Sequence, residues 1–259
     1  MKTFLRQMRA LVALSLTDLW RRNDLYALAV LAVALMVPLS MASPFGAAGA
    51  SRYLDEAALL LIWAFSLVIS LATGSRLFPP EFESRTIYAL FARPVSRWRV
   101  LLGKFFGAVV ASWSALAVFY VVFAVSAASR GAELGSVFVQ TILLHAAFVA
   151  VAVSVSLFTT LVATPSAGLT LSAIALTGMF FFGRRLPEYA HTAGGPGSWF
   201  AYLAYAIAPH AEFFDMRQRL VHGWGGVGWE VVGAVLAYAA AYALACLAIS
   251  ALALRRKRL

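Results

Sequence analysis

Charged residues are scarce in this chain of 259 residues. Aspartate, glutamate, lysine and arginine make up 12% of the chain, about half of the roughly 25% that is typical of soluble domains. Hydrophobic residues make up 62%, and a soluble fold of this length could not bury that much apolar surface. The composition therefore excludes an ordinary soluble domain and indicates a protein whose solvent is lipid.

Cysteine is almost absent, since Cys246 is the only one and it lies within an apolar run. An internal disulfide is excluded, and no cysteine spacing typical of a metal site exists. His191, His210 and His222 are widely separated and include no close ligand pair. The net charge of +10 could suggest nucleic acid, but the basic residues lie beside apolar runs rather than among exposed aromatic residues. We therefore expect no metal, no resident cofactor and no nucleic-acid partner.

Six apolar runs are long enough to cross a bilayer, whose core is about 30 Å thick and requires about 20 helical residues. The predicted spans are 25–43, 57–76, 100–126, 137–163, 167–183 and 231–254. Residues 1–24 precede them, and the apolar spacing over 3–20 predicts an amphipathic helix that lies on the membrane. The sequence thus predicts an all-α polytopic membrane protein formed by one transmembrane domain, 1–259.

The segment 184–230 separates the last two predicted spans and is expected to be external. Within it, 197–208 is too short to cross the membrane, so we expect it to be interfacial or re-entrant. Residues 209–221 resemble a short amphipathic helix, and Phe213 and Phe214 are expected to face lipid or protein. The aromatic residues of this segment suit a membrane interface.

The basic residues favour one orientation of these six spans. If the N-terminus is cytoplasmic, 15 of the 21 lysines and arginines lie on the inner side and the remaining six on the outer side. Because lysine and arginine are retained on the cytoplasmic side, we expect both termini to be cytoplasmic. The highly charged loop between the second and third spans is then cytoplasmic as well.

That loop, residues 78–104, has the features of a short helix followed by a turn. The two prolines at 79–80 suit a first helical turn, and Glu81 and Glu83 lie where the helix dipole favours anions. Glu81 and Arg85 are spaced for an i, i+4 ion pair. These features suit a rigid element that presses on a partner better than a solvated connector, whose charges would only fix the topology.

The loop should end at a proline turn and pass into the third span. Arg93 precedes Pro94, which disfavours further helix, and Ser96 is placed to cap the next helix. Gly103 and Lys104 superficially echo a phosphate-binding loop, but the required earlier glycine and following hydroxyl residue are missing. We expect Lys104 instead to extend to the lipid headgroups.

The runs EFESRTIYALFARPVSR (81–97) and LLGK (101–104) resemble the loop between the second and third helices of type-2 ABC transporter permeases. They are most similar to the branch linked to multicopper-enzyme maturation. In that family an acidic residue opens the loop, and a Thr-Ile or Thr-Leu step, Pro-Val-Ser-Arg and Gly-Lys follow. The six-span layout and the larger segment before the last span are also similar.

The resemblance implies that this loop is a coupling helix seated in a groove of a separate ATP-binding subunit. The residues expected at that contact are Glu81, Glu83, Arg85, Ile87, Leu90, Phe91, Arg93, Pro94 and Arg97. This chain would carry no catalytic residue, because ATP and Mg would bind to the partner. Two permeases, forming a homodimer, and two ATPases would export a substrate across the bacterial cytoplasmic membrane.

Two rows of small residues at four-residue spacing predict close packing of helices. The first row is Gly103, Gly107 and Ala111, and the second is Gly233, Ala237 and Ala241. Either row could face a second protomer or a neighbour within its own bundle. His145 lies well inside a span, where it is either a functional group or a neutral imidazole bonded to another helix.

Other classes of membrane protein remain as alternatives. An intramembrane enzyme needs a positioned nucleophile and base, and no Gly-x-Ser-x-Gly or His-Glu-x-x-His motif occurs. A secondary transporter commonly has polar groups near mid-membrane, whereas the acidic residues here lie in loops or near the ends of spans. A scaffold that recruits a partner without transport would have a similar sequence. The substrate of a permease could be a lipid, a peptide, a drug or a sulfur species.

Overall fold

The computed structural model describes residues 50–84, 96–132, 134–193 and 195–256, together with scattered positions between 9 and 37. This part of the chain is predominantly helical and contains no β-strand. Its helices are α1 (Ala50–Ser75), α2 (Pro79–Glu83), α3 (Arg97–Ser129), α4 (Ser136–Val162), α5 (Pro165–Phe182), α6 (Leu186–Ala193), α7 (Pro196–Ile207), α8 (Arg217–Val221) and α9 (Trp229–Arg256). Two 3₁₀ turns lie at Gly183–Arg185 and Ala211–Phe214.

Five helices in the described ranges are long and apolar enough to cross a membrane. Counted as continuous helical stretches, which join α1 to α2 and α5 to most of α6, they are Arg52–Glu83, Arg97–Ser129, Ser136–Val162, Pro165–Thr192 and Trp229–Arg256. They coincide with the second to sixth predicted spans and confirm the all-α polytopic membrane fold. The predicted amphipathic helix at 1–24 and the predicted first span at 25–43 lie largely outside the described residues.

Helix α4 lies at the centre of the bundle, where it contacts α1, α3, α5 and α9. Apolar residues occur on every side of this helix rather than on one face, which is typical of a helix surrounded by others. Three fully buried residues on α4, Phe148, Val149 and Leu157, belong to three different hydrophobic clusters. The separate clusters of the bundle therefore meet on this one helix.

Helices α1 and α4 approach each other closely at Gly74. A Cβ atom at Gly74 would lie 2.8 Å from both the Ser156 Cβ and the Val153 carbonyl oxygen, so any side chain there would push the helices apart. The Ser156 hydroxyl donates to the Leu71 carbonyl oxygen at 2.9 Å. Small residues and one interhelical hydrogen bond thus hold this contact, as is common where lipid is the solvent.

The two predicted rows of small residues lie in different environments. Gly103, Gly107 and Ala111 are buried within the bundle, where they allow α3 to pack closely against its own neighbours. Gly233, Ala237 and Ala241 lie on an exposed face of α9. Within the described part of the chain, the second row is uncovered, whereas the first is packed against neighbouring helices.

The segment between α5 and α9 folds back onto the bundle. The predicted amphipathic helix at 209–221 is wrong, because a 3₁₀ turn and the five-residue α8 occupy this region. Phe214 is fully buried in the protein and Phe213 is 46% exposed, which agrees with the expectation that these two side chains face protein or lipid. The Ile207 carbonyl at the end of α7 accepts a hydrogen bond from Tyr242, about 20 Å along α9 from Trp229. This depth favours the re-entrant alternative for 197–208.

Candidate functional site at the Pro79 end of the bundle

Two ends of the bundle can be distinguished by the segments that meet there. We call the end formed by residues 77–84, 97–104 and 254–256 the Pro79 end. The opposite end, formed by residues 52–56, 130–140 and 183–230, is the Trp229 end. The loop predicted to carry the function lies at the Pro79 end.

Helix α2 begins directly after α1 and is anchored to the bundle by Phe78. The Phe78 carbonyl accepts hydrogen bonds from the backbone amides of Glu81 and Phe82 at 3.0 and 3.1 Å. Prolines occupy the first two positions of α2, where a missing amide hydrogen has no cost to the helix. The Phe78 side chain is buried with Leu77 in the hydrophobic cluster that also contains Leu101 of α3.

Lys104 joins α2 to α3. Its Nζ atom donates to Glu81 Oε1 at 2.6 Å and to the Leu77 carbonyl oxygen at 2.7 Å, and it lies 5.1 Å from the centre of the Phe78 ring. Only 8% of Lys104 is exposed, so the expectation that it reaches the lipid headgroups is wrong. A buried ammonium needs a charged partner and further hydrogen bonds, and the end of α1 and the start of α2 supply both.

Arg97 joins the first turn of α3 to the end of α9. Its Nη1 atom donates to the Leu254 carbonyl oxygen at 2.8 Å and to the Arg255 carbonyl oxygen at 3.3 Å. Carbonyl groups in the last turn of a helix lack partners within the helix, and a cation there also interacts favourably with the helix dipole. Ser96 precedes α3 at the expected capping position, but its hydroxyl makes no capping hydrogen bond.

The residues predicted to contact an ATPase are only partly within the described ranges. Glu81 and Arg97 are partly buried, and Glu83 is exposed on α2. Arg85, Ile87, Leu90, Phe91, Arg93 and Pro94 lie outside the described residues. Sequence reasoning missed the partner of Lys104 and the contact of Arg97 with α9. The available signal for the first was a lysine about two turns inside an otherwise apolar helix.

His145 lies at the centre of a buried polar network between three helices. Its Nε2 atom is 2.7 Å from the Ser66 hydroxyl of α1, and its Nδ1 atom is 2.9 Å from the Tyr120 hydroxyl of α3. Its ring stacks on Trp63 with the ring centres 4.4 Å apart. Both ring nitrogens therefore have partners, which is the arrangement of a neutral imidazole that links helices.

The Trp229 end is closed by the turn that follows α7. Phe214 is inserted against Phe148 of α4, with ring centres 5.8 Å apart. Arg217 lies over the ring of Phe180, 4.7 Å from its centre, and its guanidinium donates to both carboxylate oxygens of Asp215. Because the Asp215 carboxylate neutralises the Arg217 cation, the arginine can pack against the Phe180 ring without leaving an unpaired charge there.

Further polar contacts tie the Trp229 end together across long distances in sequence. Gln218 donates to Glu56 of α1 at 2.8 Å, and Arg130 pairs with Asp55. Two further links connect separate segments. The Gln140 side chain bonds both the amide and the carbonyl of Val227, and Tyr238 contacts the ring and amide of His210.

Tyr205, His191 and His222 are further polar residues at this end. Burial and the neighbouring Glu212 carboxylate raise the pKa of the Tyr205 phenol above its ordinary value. The phenol therefore stays neutral and donates to Glu212. His191 and His222 contact Tyr202 and Trp224 respectively. In the described ranges, no three His, Cys, Asp or Glu side chains are grouped so that they could hold a metal ion.

A comparison with protein families finds one match that covers most of this bundle. The model of a family described as ABC-2 family transporter protein matches residues 20–183. The match includes α1 to α5 and therefore the residues Glu81, Lys104 and Arg97, but not α9, to which Arg97 bonds. A search of curated proteins finds no match.

Proposed function

Because the chain belongs to the ABC-2 family of transporter proteins, we propose that it is the permease subunit of an ATP-binding cassette exporter. A separate ATP-binding subunit would bind ATP and Mg and hydrolyse the nucleotide. This chain would form the path through the membrane and contribute no catalytic residue. The sequence resemblance of residues 81–104 points to the same role.

The junction between α1, α2 and α3 is the observation that carries this proposal. A loop that transmits a displacement must be attached firmly to the helices that it moves. Lys104 bonds Glu81 and the Leu77 carbonyl, which ties α2 to both α1 and α3. Arg97 ties the start of α3 to the end of α9. A push on α2 would therefore be passed to three membrane helices.

The exposed surface of α2 supports a contact with a partner at this end. Glu83 and Ser84 are exposed, whereas Phe78 is buried among the membrane helices. The distribution of lysine and arginine along the chain favours a cytoplasmic location for the same end. We therefore propose that α2 and the residues after it, 85–95, rest on the ATP-binding subunit on the cytoplasmic side of a bacterial inner membrane.

We propose that two copies of the permease assemble with two ATP-binding subunits. The exposed row of Gly233, Ala237 and Ala241 on α9 offers a surface on which another helix could approach closely. Within the family, the resemblance of residues 81–104 favours the branch linked to multicopper-enzyme maturation. A sulfur species for metal-centre assembly is then one candidate substrate.

The test is to co-express the chain with an ATP-binding subunit from the same organism and reconstitute both in lipid nanodiscs. Association and ATP hydrolysis are measured for the parent and for Glu83→Ala. Glu83 is exposed, so its removal should leave the fold intact and weaken association by about tenfold, as expected for loss of a charged interface contact. Hydrolysis stimulated by the permease should fall with it.

Glu188→Ala is the matched control, because Glu188 is also exposed on a short helix but lies at the Trp229 end. It should behave like the parent. If the parent chain retains no ATP-binding subunit, the permease proposal fails. If both variants bind and stimulate equally, the chain could still be a permease, but α2 is not its coupling element.

A further inference from the structure

A deep apolar groove lies between α4, α5, α7 and α9. Its volume is about 870 Å³, which is within the range of about 300 to 1,000 Å³ that is usual for ligand sites. Met179 and Cys246 form its floor and are almost fully buried. Phe182, Leu203 and Ile249 form its rims and are largely exposed. The groove is therefore recessed but open along the side of the bundle.

The chemistry of the groove selects an apolar occupant. Among the residues that the structure describes, no charged side chain lines it. The Thr159 hydroxyl donates to the Val155 carbonyl oxygen at 3.0 Å, and the Tyr242 hydroxyl donates to that of Ile207 at 2.8 Å. The donors of these two lining hydroxyls are thus already used. A polar ligand would lose its hydration in this groove without gaining hydrogen bonds.

Two arginines, Arg184 and Arg185, lie at one end of the groove. They belong to the 3₁₀ turn between Phe182 and Leu186, two residues that line the groove. Both arginines are exposed, and neither forms a salt bridge within the described part of the chain. The acidic residues nearby are Glu188 on α6 and Glu212, which lines a second pocket with Arg184 and Arg219, while Asp215 in that pocket is paired with Arg217. Three arginines therefore stand against two carboxylates, and the balance around this turn is positive. An apolar slot beside two guanidinium groups complements an acyl chain that carries an anionic headgroup.

The described N-terminal positions that pack on the bundle lie elsewhere. Leu16 packs against the hydrophobic cluster that contains Phe105, and Val33 packs against the cluster that contains Phe119. Neither cluster includes a residue that lines the groove. These positions of the chain therefore do not cover it.

We propose that the groove binds an acyl chain of an anionic phospholipid from the surrounding bilayer, with the phosphate beside Arg184 and Arg185. The lipid would occupy a site between α5, α7 and α9 for longer than the ordinary lipids around the protein. This site is separate from the junction at the Pro79 end and does not depend on the transport function.

The experiment uses the full chain purified in detergent, which removes weakly held lipid. Phosphatidylglycerol carrying a diazirine in the middle of one acyl chain is added at low concentration, activated by light, and mapped by mass spectrometry of peptides. The expected result is labelling concentrated on groove residues, including Met179 and Cys246. Unlabelled phosphatidylglycerol should compete more strongly than unlabelled phosphatidylcholine.

Gly178 allows the groove to be filled without disturbing the core. It lines the groove, and no atom outside its own helix turn lies within 4 Å of the position where a side chain would begin. Gly178→Phe should lower groove labelling by about tenfold, the equivalent of losing about two buried methylene groups. Ile174→Phe is the matched control, because Ile174 lies on α5, is 65% exposed and does not line the groove.

Ala204→Phe fills the groove from α7 and provides a second test if Gly178→Phe folds poorly. The paired change Arg184→Gln and Arg185→Gln should remove the preference for phosphatidylglycerol while labelling of the groove persists. Labelling spread evenly over all exposed helices, and unchanged by Gly178→Phe, would overturn the proposal. A groove that is never labelled, in a dimer that Gly178→Phe converts to monomers, would show that a second copy covers it and would also overturn it.

Discussion

The two ends of the bundle are held together in different ways. At the Trp229 end, side chains from α1, α4 and α9 bond to the segment that follows α5, and Phe214 of that segment is buried in the bundle. At the Pro79 end, two cations make the principal links, Lys104 to the α1–α2 turn and Arg97 to the end of α9. The first end is a packed cap, and at the second end these two charged links join elements that also share a buried hydrophobic cluster with Phe78, Leu101 and Leu254.

This difference suggests that the two ends have different tasks. A packed cap resists local opening because many buried contacts must be lost together. The Pro79 end instead presents the exposed residue Glu83 on α2, and its two charged links can pass a displacement of α2 to α1, α3 and α9. We therefore expect changes at the Trp229 end to affect mainly stability, and changes at the Pro79 end to affect mainly coupling to a partner.

The largest effect is expected from Phe214→Ala. Phe214 is fully buried, and its removal leaves a cavity that should lower the free energy of unfolding by about 3 kcal/mol, the lower end of the usual range for Phe to Ala. Unfolding in mixed micelles titrated with SDS measures this change. Phe213→Ala is the control, because Phe213 is 46% exposed and should cost much less. Equal losses for both variants would contradict the packed cap.

The next effect is expected from Lys104→Met, which leaves the Glu81 carboxylate without its cation. Breaking a buried ion pair costs about 3–5 kcal/mol, but the Glu81 side chain is 24% exposed. We therefore expect a loss of about 2 kcal/mol in unfolding free energy. Nanodisc measurements should show a larger relative loss in permease-stimulated ATP hydrolysis than in stability.

Glu81→Gln tests whether the unpaired Glu81 carboxylate causes the loss of stability in Lys104→Met. Adding it to Lys104→Met should recover more than half of the lost stability, because an uncharged amide can stay in that position at lower cost. Stimulated hydrolysis should remain low, since the link between α2 and α3 is still missing. A double variant that is less stable than Lys104→Met alone would count against the ion pair as the main contact.

A smaller effect is expected from Arg97→Gln. The arginine makes charged hydrogen bonds to carbonyls at the end of α9, and their partial exposure limits the loss to about 1 kcal/mol. Arg256→Gln makes the same change of charge at the same end on an exposed residue and should be neutral. Unfolding in mixed micelles compares the two. If the control is as unstable as Arg97→Gln, overall charge and not the Arg97 contact is responsible.

The smallest effect is expected from Tyr120→Phe, which tests the region between the two ends. It removes the hydroxyl bonded to His145 Nδ1, and hydrogen bonds between membrane helices average about 0.6 kcal/mol. The unfolding free energy should fall by about that amount, and stimulated hydrolysis should stay unchanged. Tyr189→Phe is the control on an exposed tyrosine. A large loss of hydrolysis would instead give the His145 network a part in coupling.

The membrane-spanning helices could be predicted from hydropathy because lipid imposes one dominant rule on them. The predicted span 57–76 lies within the apolar helical stretch Arg52–Glu83, and 231–254 is part of α9. Most of the helices in the structure extend a few residues beyond the predicted spans, where they continue into polar surroundings. Length and apolar content therefore predict the five described spans, since a spanning segment must satisfy its backbone groups internally.

The partners of individual side chains could not be predicted in the same way. The sequence predicts that Lys104 extends to the lipid headgroups. It does not reveal that the turn with Glu81 and the Leu77 carbonyl comes close enough to accept hydrogen bonds from this lysine. The sequence left open whether Phe214 faces lipid or protein, because the 3₁₀ turn that directs it against Phe148 is not visible in the apolar pattern. The role of Glu83 and of residues 85–95 in binding an ATPase stays a prediction.

Helix α3 is clamped to α1 near both of its ends. Its 33 residues span about 50 Å, and Lys104 and Arg130 attach it to the end and the beginning of α1 respectively. A hydrogen bond between Thr73 and Ser112 adds a third attachment between them. Sliding one helix along the other would break all three, whereas tilting both would break none. The pair can therefore tilt as one rigid body, so that a sideways displacement at one membrane face produces an opposite displacement at the other.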